Sequence, residues 1–151
     1  MPSIAIYLNR AHQRCDALCL EANSQVSGES WDDAEISFQN FSTALEQHFT
    51  MEETVLFTAF ERAIRSTEGP TSVMRDEHRK IRSIIFMLQD ALTRRSRNAF
   101  LGHADTLSIM IEQHNLVEET FLYPMIDSLP NGQQDEIIRA MGVIANAMSS
   151  D

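Results

Sequence analysis

The sequence predicts an all-α protein, built as an up-down-up-down antiparallel four-helix bundle with an additional C-terminal helix. Apolar residues recur at helical spacing, and no run of alternating β-branched residues predicts a strand. Breaks fall at Gly28, at Gly69-Pro70 and at Pro130-Asn131-Gly132, so long helical segments are joined by short connections. Short connections place consecutive helices side by side and antiparallel, which is the arrangement of a bundle.

Each helix has its own boundary signals. Ser3 opens the first helix, and Ser30 is a suitable N-cap for the second, whose first turn is acidic. Pro124 is expected to bend or end the fourth helix. The predicted helices cover 3 to about 26, 30 to about 65, about 71–94, about 98–126 and 133–148.

The bulk properties limit the class of protein. A length of 151 residues predicts one domain over 1–151, with the bundle over about 3–127 and the C-terminal helix over about 132–149. The formal net charge of −10 argues against nucleic acid or an anionic membrane as a partner. No segment has the pattern of a signal peptide or the roughly 20 apolar residues of a membrane helix. Cys15 and Cys19 are expected to be free thiols, which favours a cytoplasmic location.

The first half of the chain is repeated in the second. The segment 45–60 (LEQHFTMEETVLFTAF) aligns with 111–126 (IEQHNLVEETFLYPMI) at a shift of 66 residues (114 − 48), and the same shift carries His12 onto His78 (78 − 12). Four of the five histidines therefore form two equivalent pairs. We call His12 and His48 the first pair, and His78 and His114 the second pair. This repeat predicts two similar half-sites that face each other.

The repeat also predicts the level of the two pairs. Ser30 is midway between the members of the first pair, and Ser96 is midway between those of the second. Both pairs should therefore lie at one level of the bundle. The midpoint between His48 and His78 falls several residues before the middle turn. Either the second helix breaks near Thr58, the counterpart of Pro124, or its end overhangs the bundle, and we expect the break.

Each half carries a His-x-x-x-Glu step, from His48 to Glu52 and from His114 to Glu118. Residues four apart lie on one face of an α-helix, so the imidazole and the carboxylate can point into the bundle together. The glutamates are long enough to bridge two metal ions, with the imidazoles as terminal ligands. Imidazole suits iron, zinc and copper, and carboxylate bridging favours a redox-capable pair such as iron. Positions left vacant on a six-coordinate ion would admit an exogenous ligand.

Other helical metal sites have different spacings. Ferritin-like di-iron proteins carry Glu-x-x-His and more carboxylates, and zinc peptidases carry His-Glu-x-x-His. A metal-free bundle is the remaining alternative, and it would bury imidazoles and carboxylates without compensating charge.

At these residues the sequence resembles the hemerythrin-like, or HHE, domain proteins over roughly residues 4–127. The resemblance rests on His12, His48-x-x-x-Glu52, Glu77-His78 and His114-x-x-x-Glu118, with EETVLF at 52–57 and EETFLYP at 118–124. It implies a non-haem centre of two iron ions, oxo- or hydroxo-bridged and held by two bridging carboxylates. Zinc and manganese are the less favoured metals. Proteins of this family bind O₂, sense oxygen or iron, respond to NO, or help to repair iron centres.

Two positions depart from the oxygen-carrying hemerythrins. Met74 stands where the carriers have a second histidine on the third helix. Glu118 follows its histidine by four residues, where they have an aspartate at five. The missing histidine leaves one iron more open, makes the site more labile, or lets another ligand take its place.

Several nearby residues are expected to lie outside the metal ligand set. Glu53 and Glu119 are rotated about 100° from their neighbours and should accept hydrogen bonds or face solvent. Glu77 is a candidate for a supporting hydrogen bond, or for a third carboxylate in place of the missing histidine. His103 lies 11 residues before His114 (114 − 103), about 16 Å along the helix, which is too far to share the site.

The sequence thus predicts a di-iron protein that binds or senses a small diatomic ligand, O₂ or NO. A redox or iron-homeostasis role is the alternative, a structural metal-binding bundle is the third possibility, and enzymatic activity is not favoured. The C-terminal helix is expected to cap the bundle or to form a homodimer face, through Ile137, Ile138, Met141, Ile144 and Met148. The predicted metal ligands are His12, His48, Glu52, His78, His114 and Glu118.

Overall fold

The computed structural model describes residues 3–149, with side chains to residue 146. No strand occurs in this part of the chain, and the predicted all-α bundle with an extra helix is confirmed. The helices are α1 (Ile4–Ser27), α2 (Trp31–Met51), α3 (Phe57–Ile64), α4 (Pro70–Thr93), α5 (Arg97–Val117), α6 (Tyr123–Asp127) and α7 (Asn131–Ser149). Two π-helical turns, Glu52–Leu56 and Glu118–Leu122, join α2 to α3 and α5 to α6. We call them the first and second π turns.

The helix ends follow the repeat closely. The Ser3 hydroxyl accepts a hydrogen bond from the Ile6 N–H at 3.1 Å and caps α1. Ser30 occupies the N-cap of α2, as expected, although its side chain makes no capping hydrogen bond. Glu29 and Arg95, which are 66 residues apart (95 − 29), both adopt left-handed backbone angles, with φ of 56° and 51°. The two hairpin turns are therefore bent in the same way.

The bundle is formed by two hairpins, α1 with α2 and α4 with α5. Helix α1 also packs on α5, and α2 on α4. The two hairpin turns meet at one end, where the Arg97 Nε donates to the Ser27 carbonyl at 2.9 Å and Arg95 pairs with Asp32 at 3.1 Å. None of the described helices has the length and apolar composition needed to cross a bilayer. The assignment of the whole chain to a single domain stays a prediction.

Two apolar clusters divide the interior. The turn-end cluster lies toward the hairpin turns and includes Ala22, Phe38, Phe41, Leu88, Phe100 and Leu107. The terminal cluster lies toward the chain ends and includes Ile4, Leu8, Leu56, Met74, Leu122 and Met141. The predicted ligands belong to neither cluster, because their polar side chains form a layer of their own.

The prediction that the second helix breaks near Thr58 was wrong. The change occurs earlier, at the first π turn, and the chain stays helical to Ile64. A π turn frees a carbonyl from the main-chain ladder, and here the Glu53 carbonyl accepts hydrogen bonds from Thr58 Oγ1 at 3.2 Å and Arg75 Nη2 at 3.1 Å. Pro124, in the second half, has no N–H to donate, so the second π turn accommodates it without breaking the helix.

Helix α7 packs along α2 and the first π turn. Ile137 and Met141 are buried in the terminal cluster, while Val143 is exposed. Gln47 Nε2 donates to the Ala145 carbonyl at 3.3 Å and fixes the far part of α7 on α2. The helix therefore covers the bundle, although the side chain of Met148 lies outside the described residues.

Candidate metal centre

The structure brings the six predicted side chains together in one buried layer. Each is at most 5% exposed. They fall into two groups whose potential ligand atoms lie within 4.8 Å of one another. One group is His12, His48 and Glu118, and the other is Glu52, His78, His114 and Glu118. Their role as metal ligands stays a prediction, but their convergence is a property of the fold.

Each histidine pair points its Nε2 atoms at a common position. The Nε2–Nε2 distance is 3.1 Å between His12 and His48, and also 3.1 Å between His78 and His114. Two imidazoles bound at right angles to one ion, at metal–nitrogen distances of about 2.1 Å, would be separated by about 3.0 Å. Both pairs therefore already have the spacing of two ligands on one cation.

Each glutamate lies between the two pairs. Glu52 Oε1 is 3.2 Å from the Nε2 of His48 and 3.3 Å from that of His78. Glu118 Oε1 is 3.3 Å from the Nε2 of His12 and 3.2 Å from that of His114. Both carboxylates thus reach from one pair to the other, which is the arrangement required of a bridging ligand.

The buried oxygens of this layer fit a bound cation. Among the described residues, Glu52 Oε1 and both carboxylate oxygens of Glu118 have no hydrogen-bond partner. Burial alone would raise the pKa of Glu52, but His48 and the other neighbouring groups lower it well below its usual range. Burial would likewise lower the pKa of His114, yet Glu118, Glu52 and Glu77 raise it to about 9. The carboxylates therefore favour positive charge on the neighbouring rings, and a metal cation could take the place of those protons; the nitrogen and oxygen donors suit iron.

Carboxylates outside the layer orient three of the four rings. In these rings Nε2 faces Glu52 or Glu118 in the layer, and Nδ1 faces another glutamate outside it. The carboxylate at Nδ1 fixes the proton on that nitrogen, so that Nε2 offers its lone pair to the interior. The Nδ1–carboxylate distances are 2.9 Å for His12–Glu119, 2.8 Å for His78–Glu53 and 3.4 Å for His114–Glu77. This is the supporting role expected of these glutamates. Burial would raise the pKa of Glu53, but Arg82 and His78 lower it, so this carboxylate stays ionised.

Tyr123 is a member of the site that the sequence analysis missed. It is fully buried, and its hydroxyl donates to Glu52 Oε2 at 2.8 Å and lies 3.0 Å from His12 Nε2. Its counterpart in the repeat is Phe57 (123 − 66). A tyrosine that stands in place of a phenylalanine on a buried helix face needs a hydrogen-bond partner. This difference between the two halves of the repeat could have indicated from the sequence that Tyr123 contacts a polar group.

The two halves of the layer differ in their surroundings. The Phe49 ring stacks on His78 with centroids 3.8 Å apart, and its counterpart beside the first pair is Asn115 (49 + 66). A groove of about 510 Å³ between α1 and α5 reaches His12 and is lined by Asp16 and Glu119, among others. The first pair is therefore the more polar and the more accessible.

The remaining candidates lie outside the layer. Met74 is buried in the terminal cluster, and His103 belongs to neither ligand group. Cys15 and Cys19 are free thiols, as expected. Burial raises the pKa of Cys15 to about 12 and that of Cys19 to about 11, so both thiols are protonated at neutral pH.

A helical bundle that buries histidines and glutamates in one layer, between apolar clusters, defines a metal-binding protein of the four-helix class. The family model of the hemerythrin HHE cation binding domain matches residues 4–126, and matches again over 69–143. The chain therefore belongs to this family. The second match begins where the second half of the repeat begins. No curated protein and no solved structure gave a match to the chain.

Proposed function

We propose that this protein binds two iron ions in the buried layer and uses them to bind or sense a small diatomic ligand, O₂ or NO. The position of the glutamates carries the proposal, because each Oε1 lies 3.2–3.3 Å from one imidazole of each pair. His12 and His48 would hold one ion, and His78 and His114 the other. Glu52 and Glu118 would be shared between them.

The donor count supports ligand binding. Two imidazoles and two shared carboxylates leave positions free on a six-coordinate ion. Iron, when bound, would offer those free coordination positions to a ligand and could change its oxidation state reversibly. The terminal cluster, with Leu56, Phe57 and Met74, keeps bulk water away from the layer.

The first pair is the proposed point of access for the ligand. The groove between α1 and α5 leads from solvent to His12. Tyr123 Oη lies next to Glu52 and His12 and donates its one hydrogen to Glu52 Oε2; turned away from Glu52, that hydrogen could instead reach a guest with a partial negative charge. Glu119 holds the His12 ring in position, whereas the Tyr123 hydroxyl would turn from Glu52 to the ligand when the ligand arrives.

Tyr123 also favours a second candidate, a redox role in which peroxide or NO is consumed. Burial raises the pKa of Tyr123, so this phenol stays protonated at neutral pH and is placed to share its hydrogen with a reacting guest at the centre. Iron donation and a structural zinc site are the further alternatives that the same experiment separates.

Metal analysis of the purified protein, with optical spectra recorded as O₂, NO and peroxide are added, tests the proposal. We expect about two iron ions per chain and a reversible spectral change with O₂ or NO. Steady consumption of peroxide or NO would favour the redox role, and transfer of iron to an acceptor protein would favour donation. Zinc alone, with no visible band, would leave a structural bundle.

A pair of histidine variants provides the internal control. His48→Gln should lose iron from the first pair, whereas His103→Gln should load and respond like the original protein because His103 lies outside both ligand groups. Equal losses in both variants would contradict the proposed ligand set.

A further inference from the structure

One ring of the layer lacks the support that the other three have. His48 is 4% exposed, and within the described part of the chain its Nδ1 has no hydrogen-bond partner. Its Nε2 faces His12 and Glu52. With Nε2 turned inward as a ligand, Nδ1 carries a proton, and a buried N–H without an acceptor destabilises the fold.

The repeat explains why the partner is missing. His114, the counterpart of His48, has Glu77 at 3.4 Å from its Nδ1. The residue equivalent to Glu77 in the first half is Ala11 (77 − 66). The first half therefore has a methyl group where the second half has a carboxylate.

A cavity lies where that carboxylate would be. It has a volume of about 160 Å³, well above the roughly 30 Å³ of one water molecule, and lies between α1, α2 and α7. Its wall includes Tyr7, Ala11, Arg14, Gln47, His48 and Ala145. The space is thus bounded by the ring that lacks an acceptor and by a side chain too short to supply one.

The chemistry of the wall selects an anion with two acceptor oxygens. Tyr7, Ala11 and Arg14 follow one another at i, i+4 and i+7, so they share one face of α1. The Arg14 guanidinium is exposed and can pair with a carboxylate through two parallel hydrogen bonds. The Tyr7 hydroxyl is a further donor. A small carboxylate would therefore meet a cation at one oxygen and the imidazole N–H at the other.

We propose that this cavity binds a small monocarboxylate, of the size of formate or acetate, which accepts the hydrogen bond of His48 Nδ1 and pairs with Arg14. The guest replaces in the first half the carboxylate that Glu77 supplies in the second. The inference rests on the proposed function, because it requires His48 to bind metal through Nε2.

Occupancy of the cavity is coupled to the metal of the first pair. A carboxylate on Nδ1 makes the imidazole a stronger ligand, so the guest strengthens metal binding at His12 and His48. The coupling is reciprocal, and metal at this pair must strengthen binding of the carboxylate by the same factor. The second pair, which already has Glu77, does not respond.

Nitrogen NMR of the histidine rings in the zinc-loaded protein, titrated with sodium formate and then with sodium acetate, tests this proposal. Zinc is diamagnetic and accepts the same imidazole ligands. We expect a saturable shift of the His48 Nδ1 resonance and no comparable shift for His114. Arg14→Gln should weaken the apparent affinity several-fold, and Ala11→Glu should abolish the response because its carboxylate fills the cavity.

Glu77→Ala is the matched control, because it opens the equivalent space beside His114 and should create a second saturable response there. An unsaturable shift would overturn the proposal, as would an equal effect of chloride or phosphate. A response that persists in Ala11→Glu would show formate on the metal itself and would also overturn it. Iron and zinc loading measured on each variant separates the outcomes, since a protein that holds neither metal in the layer refutes the proposed function instead.

Discussion

Glu118 and Glu119 are neighbours in the chain, but their carboxylates have opposite environments. Glu118 is fully buried between His12 and His114, whereas Glu119 supports His12 from outside and its side chain is 38% exposed. We expect Glu118→Gln to lose the bound metal, because it removes a negative charge from between the two ions. Glu119→Gln should keep the metal stoichiometry while its affinity falls by about 10–100-fold.

Competitive titration of both variants against a chelator measures these affinities. Both variants replace a carboxylate by an amide at neighbouring positions, so each is a control for the other. Full metal retention in Glu118→Gln, or equal affinity in the two variants, would contradict the assignment of Glu118 as a bridge.

The Tyr123 hydroxyl makes a hydrogen bond that is removed when its oxygen atom alone is deleted. Tyr123→Phe takes away the donor to Glu52 Oε2 and gives the position the residue found in the first half of the repeat. We expect unchanged metal content, a shifted optical spectrum, and faster dissociation of NO or O₂ from the first pair. Stopped-flow release of NO compares Tyr123→Phe with the original protein. A Tyr123→Phe protein with an unaltered spectrum and release rate would assign this hydroxyl a packing role only.

At the scale of elements, α3 is held on α4 by Glu61. Its carboxylate accepts from Thr71 Oγ1 at 2.6 Å and from Arg75 Nε at 3.2 Å, and Arg75 also reaches the Glu53 carbonyl of the first π turn. This cluster therefore links α3, α4 and the segment that presents Glu53 to His78.

Glu61→Gln should lower the free energy of unfolding at pH 7 by about 1 kcal/mol. Burial would raise the pKa of Glu61, but Arg75 and Thr71 lower it below its usual 4.5. Its contribution is therefore complete above about pH 4.5 and is lost as the pH falls through the folded-state pKa. Urea unfolding of metal-free samples at pH 7 and pH 3.5 checks this, with the exposed Glu68→Gln as control. A stability difference that grows on acidification would contradict the sign.

The repeat made most of the fold and the predicted ligand layer accessible from sequence. The 66-residue shift identified both hairpins, both histidine pairs and the level at which they meet. The π turns were not predictable, because the wider turn depends on groups from other elements, such as Arg75 on the Glu53 carbonyl. Tyr123 was missed because its partner Glu52 is 71 residues away (123 − 52), and the packing of α7 depended on which faces the bundle left uncovered.

For the whole molecule, metal and folding are expected to be coupled. The layer contains buried carboxylate oxygens that lack hydrogen-bond partners among the described residues. Each iron ion, at a hundredfold excess over its Kd, should stabilise the fold by about 2.7 kcal/mol. That corresponds to a rise in Tm of roughly 5–10 °C for each ion bound to a chain of this length. Thermal unfolding with and without a chelator measures the change, and the His48→Gln, His114→Gln double variant should show none. A Tm that does not change when iron is removed would contradict the coupling.

The two hairpins of the bundle have the same form. Each has a residue with left-handed backbone angles in its turn, Glu29 or Arg95, and each has a π turn after its second long helix. Each hairpin brings its own two imidazoles to one position, but its glutamate extends to the neighbour's position as well. This arrangement is compatible with an ancestor of half this length that functioned as a homodimer. Gene duplication and fusion would then have joined its two copies into one chain. After such a fusion the halves could diverge, and Ala11 and Tyr123 each occur in one half alone.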